Sequence, residues 1–280
     1  MEAKGTALVT GASRGLGRAI ALDMARRGFD VIAGMRNPAD GADLVAEARG
    51  AAGSLRIEVL DMCNLGDYQP PAGLRVLVNN AGYNATYLPI EHADMGEWRK
   101  TFETNFFGVV DLTRRAIPRL REAGGGVICN IGSASVFVQM PFYSAYRPSK
   151  AALMALSEGL RVELAPFGIR VVEIPIGGVD TDMLKKGIAN RPSEAINYEL
   201  YRPMALRQHE VVRQGQTNAL SPAESARRVV DALLAEEGPL LRPVDPNGVA
   251  LLTDVNARPA ETRAQMILEM MGVAKPSAAP

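Results

Sequence analysis

Short apolar runs alternate with longer stretches of helical period along most of the chain. The runs fall at Thr6–Thr10, Val31–Gly34, Leu55–Leu60, Arg75–Val78, Gly126–Ile131, Ile169–Ile174 and, more weakly, Leu240–Pro243. Continuous runs of this length suit strands buried on both faces of a parallel sheet. Between them, helical periodicity covers roughly 15–28, 40–50, 95–121, 145–165 and 222–236. Repetition of strand, helix and strand predicts βαβ units with right-handed crossovers. The expected fold class is α/β: a doubly wound, mostly parallel seven-stranded sheet with helices on both faces.

The breaks in the pattern matter as well. Asp61–Leu74 is short and holds Pro70-Pro71, so the crossover there is expected to shrink to a turn or two. Residues 178–221 lose the sheet period after the sixth run, where open α/β sheets carry the loops that cover their ligands. Asp245–Met271 continues beyond the repeating part and is expected to close over the ligand or cover a neighbouring subunit. Gly272–Pro280, small and proline-containing, reads as a frayed tail. No stretch before residue 250 has the composition of an interdomain linker, and there is no internal repeat, so residues 1–280 are expected to form a single domain.

Composition narrows the chemistry. The 280 residues are 47% hydrophobic, enough for a sizeable core, and 31 basic residues balance 31 acidic ones. No window concentrates charge as a nucleic-acid footprint or a membrane anchor does, so a small-molecule partner is expected, with no nucleic acid and no membrane. No apolar stretch approaches the length of a membrane span, and the N-terminus opens with Glu2 and Lys4 rather than a signal sequence. A cytoplasmic protein follows. Cys63 and Cys129, with His92 and His209, lack metal-ligand spacing, so no metal site is expected and Ser-His-Asp catalysis lacks parts.

The first strand runs into Thr10-Gly11-Ala12-Ser13-Arg14-Gly15-Leu16-Gly17, and an apolar helical pattern follows at once. Glycines at such a junction allow a tight turn and let backbone approach a pyrophosphate held at the positive end of a helix. Gly11, Ser13, Arg14, Gly15, Leu16 and Gly17 are therefore candidate nucleotide contacts. In NAD-binding versions a carboxylate about 20 positions further on holds the ribose 2′-hydroxyl. Here that stretch reads Gly34-Met35-Arg36-Asn37. Arg36 and Arg14 instead offer two permanent positive charges to a 2′-phosphate, which makes NADP(H) the expected cofactor.

Tyr143-Ser144-Ala145-Tyr146-Arg147-Pro148-Ser149-Lys150 opens a helix of about twenty residues. Tyr146 and Lys150 stand four apart and share a face, and with Ser144 as N-cap the missing amide of Pro148 falls among the first unpaired donors. A phenol titrates near 10 in water and is a poor proton carrier at neutral pH until a cation stabilises its anion. Lys150 is placed to do so, aided by the positive helix end. Tyr143 lies on the same face one turn further from the lysine. Upstream, the fifth strand ends in Gly132-Ser133-Ala134-Ser135, where a hydroxyl can hydrogen-bond a substrate carbonyl.

Taken together, Thr10-Gly11-x-x-x-Gly15-x-Gly17, Asp61, Asn79-Asn80-Ala81-Gly82, Asn105, Ser133 and Tyr146-x-x-x-Lys150 closely resemble the short-chain dehydrogenase/reductase family over roughly residues 5–240. The resemblance implies a Rossmann-type fold and a catalytic tetrad of Asn105, Ser133, Tyr146 and Lys150, with Ser133 preferred to Ser135 by its distance from the tyrosine. It implies that Lys150 and Tyr146 also hold the nicotinamide ribose, and that Asn105 helps retain a proton-relaying water. Asp61 and Met62 would meet the adenine, and Asn80 and Gly82 the adenosine ribose. Asn79 would tie strands together, while Val179 and Thr181 would meet the nicotinamide amide and pyrophosphate.

Ile176 departs from the pattern, standing where the family usually has proline. The implied activity is hydride transfer between NADP(H) and a carbonyl or secondary alcohol, in a homo-oligomer, dimer or tetramer. Rival readings are an epimerase or dehydratase that recycles bound NADP, and a non-catalytic NADP-binding regulator.

Overall fold

The computed structural model describes residues 1–84, 86–180, 194–215 and 219–273. Its elements run β1 (Thr6–Thr10), α1 (Gly15–Arg27), β2 (Asp30–Met35), α2 (Ala42–Glu47), β3 (Ser54–Val59), β4 (Leu74–Asn79), α3 (Met95–Phe102), α4 (Gly108–Glu122), β5 (Gly126–Ser133), α5 (Tyr146–Leu164) and β6 (Ile169–Ile176). The chain continues through α6 (Arg202–Gly215), α7 (Pro222–Leu234), α8 (Pro246–Ala257) and α9 (Ala260–Met270).

Every strand pairing is parallel, and the order is β3-β2-β1-β4-β5-β6. The order reverses at β1 and β4, and that switch point opens the crevice in which such sheets bind ligands. Alternate residues of each strand serve opposite faces, as the pleat requires. Ala7 and Val9 of β1 pack with Ile20 and Met24 of α1 and Val229 and Val230 of α7, whereas Leu8 packs with Leu112 of α4 and Leu153 and Leu160 of α5. Apolar burial on both faces explains why the strands read as continuous hydrophobic runs.

Among the described residues the sheet has six strands, not the expected seven. The run at 240–243 makes one parallel bridge, Leu241 to Glu173, flanked by Glu173 N–H to Leu240 O and Arg242 N–H to Glu173 O, both 2.9 Å. Pro239 and Pro243 bracket it, and proline brings no N–H to a ladder.

The single helix expected over 95–121 is two. A π-helical turn, Glu103–Phe107, separates α3 from α4 and contains Asn105, whose residue type competes with helical bonding. Asp61–Leu74 holds turns and no helix. The expected frayed tail lies largely outside the described residues, as does much of the covering segment 178–221.

Candidate active site

The glycine turn between β1 and α1 is shaped by close backbone contact. Gly11 and Gly15 have φ of +66° and +59°, where residues with a Cβ are strained. A Cβ on Gly11 would come within 2.8 Å of Ala81 Cα, and one on Gly17 would overlap Asn80 Nδ2 and Gly11 O. Asn80 locks the arrangement by donating from Nδ2 to Thr10 O at 2.9 Å. Helix α1 then starts with no side-chain cap and no acidic residue in its first turn. Its first N–H groups and its positive end are therefore presented to an incoming anion.

This turn forms one end of a cavity of about 570 Å³. Gly11, Ser13, Arg14, Gly15, Leu16, Gly17, Arg36, Asp61, Met62, Asn80 and Gly82 line it, together with Ser133, Tyr146, Lys150 and Val179. Thr181 lies outside the described residues. Arg14 and Arg36 are exposed on the cavity rim, and neither guanidinium has a protein partner among the described residues. The side chain of Asn37 is occupied locally, with Oδ1 accepting from Ala39 N–H and Nδ2 donating to Asp40. Asp61 is fixed in turn by accepting the Cys63 N–H at 3.0 Å.

At the other end, β5 runs to Ser133, whose Oγ donates to Ser135 Oγ at 2.9 Å and accepts the Ser135 N–H at 3.2 Å. Helix α5 begins at Tyr146 with Ala145 as N-cap. Ser144, expected to cap it, donates to Leu88 O at 2.7 Å instead, because the preceding loop packs against residues 87–88. Pro148 still falls in the first turn, where its missing N–H breaks no helical bond.

Lys150 is only 5% exposed and donates from Nζ to Ile131 O at 2.8 Å, which pins the ammonium beside the end of β5. Burial lowers its pKa to about 8, opposed by the carboxylate of Glu173.

Asn105 is fully buried behind the cavity wall. Its Oδ1 accepts Tyr83 N–H at 2.7 Å, and its Nδ2 donates to Tyr83 O at 2.9 Å and to Ser149 Oγ at 3.0 Å. It clamps the loop after β4 to α5. Asn79 ties strands as expected, donating to Asn130 Oδ1 and Thr113 Oγ1. Ile176 lengthens β6 by one paired position, opposite Ser133, and lines the cavity. Proline there would remove the strand N–H.

The family model for short chain dehydrogenase matches residues 5–192. The chain belongs to that family. This short-chain dehydrogenase is 38% identical over 199 residues to the uncharacterized oxidoreductase YusZ of Bacillus subtilis, covering 67% of this chain and 69% of that one. It is 32% identical to the NADPH-dependent 1-acyldihydroxyacetone phosphate reductase of Schizosaccharomyces pombe, over 76% and 74% of the two chains. A solved short-chain dehydrogenase from Streptomyces avermitilis superposes with a TM-score of 0.75 at 32% identity, over 97% of this chain and 98% of that one. The family role is that of a dehydrogenase or reductase on a fold that binds a nicotinamide nucleotide.

Other features of this short-chain dehydrogenase escaped the sequence reading. Tyr83, Asn84, Tyr87, Val138 and Leu251 also line the cavity, beside Tyr143, which the sequence had already placed next to Tyr146. Tyr143 meets the Tyr87 ring edge-on at a centroid distance of 5.2 Å, and Phe142 before it adopts φ +67°, a strained conformation held by burial. Leu251 arrives from α8 and packs with Val136 and Phe137, immediately after Ser133 and Ser135. Asp245 anchors that helix, accepting Gly248 N–H at 2.9 Å and, with its other oxygen, Gly177 N–H at 2.8 Å. No helix among the described residues is long and apolar enough to cross a membrane, and no three potential metal ligands cluster there.

Proposed function

We propose that this chain is an NADP(H)-dependent reductase or dehydrogenase interconverting a carbonyl and a secondary alcohol, with Tyr146 as general acid and base. The observation that carries the reading is that one cavity is lined by the uncapped start of α1, two guanidiniums without a partner among the described residues, Ser133, Tyr146 and Lys150. The glycine cradle fits a pyrophosphate, because side chains on Gly11 or Gly17 would fill the space that backbone now leaves. The reductase of Schizosaccharomyces pombe, NADPH-dependent by name, supports the choice of nucleotide.

In this reading Gly11, Ser13, Gly15, Leu16 and Gly17 hold the pyrophosphate, and Arg14 and Arg36 the 2′-phosphate. Asp61 and Met62 bound the adenine, Asn80 and Gly82 its ribose, Tyr146 and Lys150 the nicotinamide ribose, and Val179 and Thr181 the nicotinamide end. When bound, the nucleotide supplies or accepts a hydride. The protein moves the proton: Tyr146 gives its hydroxyl proton to the carbonyl oxygen in reduction and removes it from the alcohol in oxidation. Ser133 hydrogen-bonds that oxygen, and the Lys150 ammonium stabilises the phenolate. Asn105 is assigned the water of the proton relay and the positioning of Tyr83 against α5.

Tyr87, Tyr143, Val138 and Leu251 give the Ser133 side of the cavity an apolar, aromatic lining, so the substrate is proposed to carry an apolar or aromatic group beside its carbonyl. Leu251→Ala is expected to lower kcat/KM for such substrates roughly tenfold, the scale of a lost apolar contact in a specificity pocket, with nucleotide affinity unchanged. Steady-state kinetics over ketones of graded size check this.

The overall reading is tested by following NADPH absorbance with a panel of ketones, aldehydes and secondary alcohols. Substrate turnover without net change in absorbance would move the assignment to an epimerase or dehydratase. Self-association into a dimer or tetramer is also proposed, on the exposed Phe107, Val162 and Phe167, with light scattering as its test.

A further inference from the structure

Glu173 lies in β6 with no exposure to solvent, and neither carboxylate oxygen has a hydrogen-bond partner among the described residues. A buried carboxylate without partners is costly, so its presence needs a reason. Its surroundings supply one. Glu173 is in register with Asn130 of β5, and a Cβ placed on Gly132 would lie 2.5 Å from its Oε1. Lys150 Nζ is bonded to the carbonyl of Ile131, the residue just before Gly132. The carboxylate and the ammonium therefore flank consecutive residues at the end of β5, beneath α5. The hydroxyl of Ser157 lies near, but it donates to Leu153 O at 2.9 Å and accepts from Asn130 Nδ2 at 2.9 Å.

We propose that Glu173 is a positioning residue that keeps Lys150 protonated in a site whose burial works against the charge. This rests on the roles given above to Tyr146 and Lys150. An ammonium shut away from water is driven toward its neutral form, and a neutral lysine no longer stabilises a phenolate. A carboxylate behind it in the same dry layer compensates, since opposite charges attract strongly where water is excluded.

The charged and titratable groups that act on Glu173 are Lys150 and Glu158 from α5. Cys129 of β5 lies close by, its thiol pushed up to about 12 by burial and by Glu173. Arg242, beyond β6, sends its guanidinium to the carbonyls of Ala232 and Ala235. Burial raises Glu173 to about 7, and the Lys150 ammonium pulls it down.

The sign of the effect follows. Removing the carboxylate lowers the lysine pKa further, so the form competent for catalysis disappears at lower pH. In Glu173→Gln the alkaline limb of kcat/KM is expected to move toward acid by about one pH unit, which is a tenfold loss above the old midpoint. Glu173→Asp, which keeps the charge, is expected to restore most of the profile. Glu173→Met fills the same space without an orphaned amide and is expected to shift the limb as Gln does, which covers the case in which the Gln variant does not fold.

Nucleotide affinity and melting temperature, measured in parallel, identify the folded variants. A folded Gln or Met variant whose pH profile superimposes on that of the parent overturns the proposal. Tyr146→Phe separates the two levels. If that variant is inactive while the Glu173 profiles are unchanged, only the role of Glu173 fails; if it remains active, the reading beneath fails.

Discussion

Tyr146→Phe is expected to lower turnover about a thousandfold while lowering nucleotide affinity by at most about tenfold, the scale of the one ribose hydrogen bond proposed for its hydroxyl. General acid–base catalysis contributes on the order of 10²–10⁴ in rate, and phenylalanine removes the hydroxyl while keeping the ring. The ring stays because Tyr146 is the first residue of α5, a helix packed on the sheet through Leu153, Leu160 and Leu164. Lys150 also stays, bonded to Ile131 O, so the nucleotide keeps that contact. Stopped-flow or steady-state rates with a fluorescence titration of NADPH measure both quantities. Tyr143 lines the same cavity, which makes Tyr143→Phe the control. Turnover within tenfold of the parent for Tyr146→Phe, with collapse for Tyr143→Phe, would transfer the role to Tyr143.

The second large effect concerns nucleotide choice. Arg14→Ala with Arg36→Ala is expected to weaken NADPH binding by roughly two to four orders of magnitude while changing NADH affinity little. A hydrogen bond to a charged group contributes about 1.5–3 kcal/mol, or roughly ten- to a hundredfold in affinity for each arginine. The expectation is clean because neither guanidinium has a partner among the described residues whose loss would disturb the fold. Most arginines here are tied up, as Arg27 is with Asp23 and Asp231, and Arg227 with Glu224 and Asp231. Dissociation constants for the two nucleotides decide the matter, and equal losses for both would show that the arginines serve something other than the 2′-phosphate.

The sheet was legible because its strands are apolar on both faces, and Leu8 between Ala7 and Val9 shows why no alternation is needed. The missing seventh strand was not, since a run of the right length says nothing about whether Pro239 and Pro243 leave room for a ladder. The glycine turn at one end of the cavity could be read from Gly11, Gly15 and Gly17 because close backbone approach demands glycine at fixed spacing. The substrate end could not. Tyr87, Val138 and Leu251 come from three separate stretches, and nothing local marks an ordinary apolar residue as facing a cavity. Glu173 was hidden for the same reason: an acidic residue inside a strand looks like a solvent-facing position until both sheet faces are seen to be covered.

Asp245 joins two parts of the molecule with one carboxylate, since one oxygen starts α8 and the other holds Gly177 at the end of β6. The family model matches residues 5–192 and α8 and α9 lie beyond it, while the Streptomyces avermitilis structure superposes over 97% of this chain. Helix α8 is held by this clasp and by Leu251, Leu252 and Val255 packing on Val136 and Phe137, and α9 by Arg263 donating to Phe137 O, so α8 builds a pocket wall past Ser133. Trading this segment between relatives is accordingly a route to altered selectivity, provided the graft keeps its aspartate clasp and the apolar contacts of Leu251 and Val255. A cut made upstream of the clasp releases Gly177 as well as the wall.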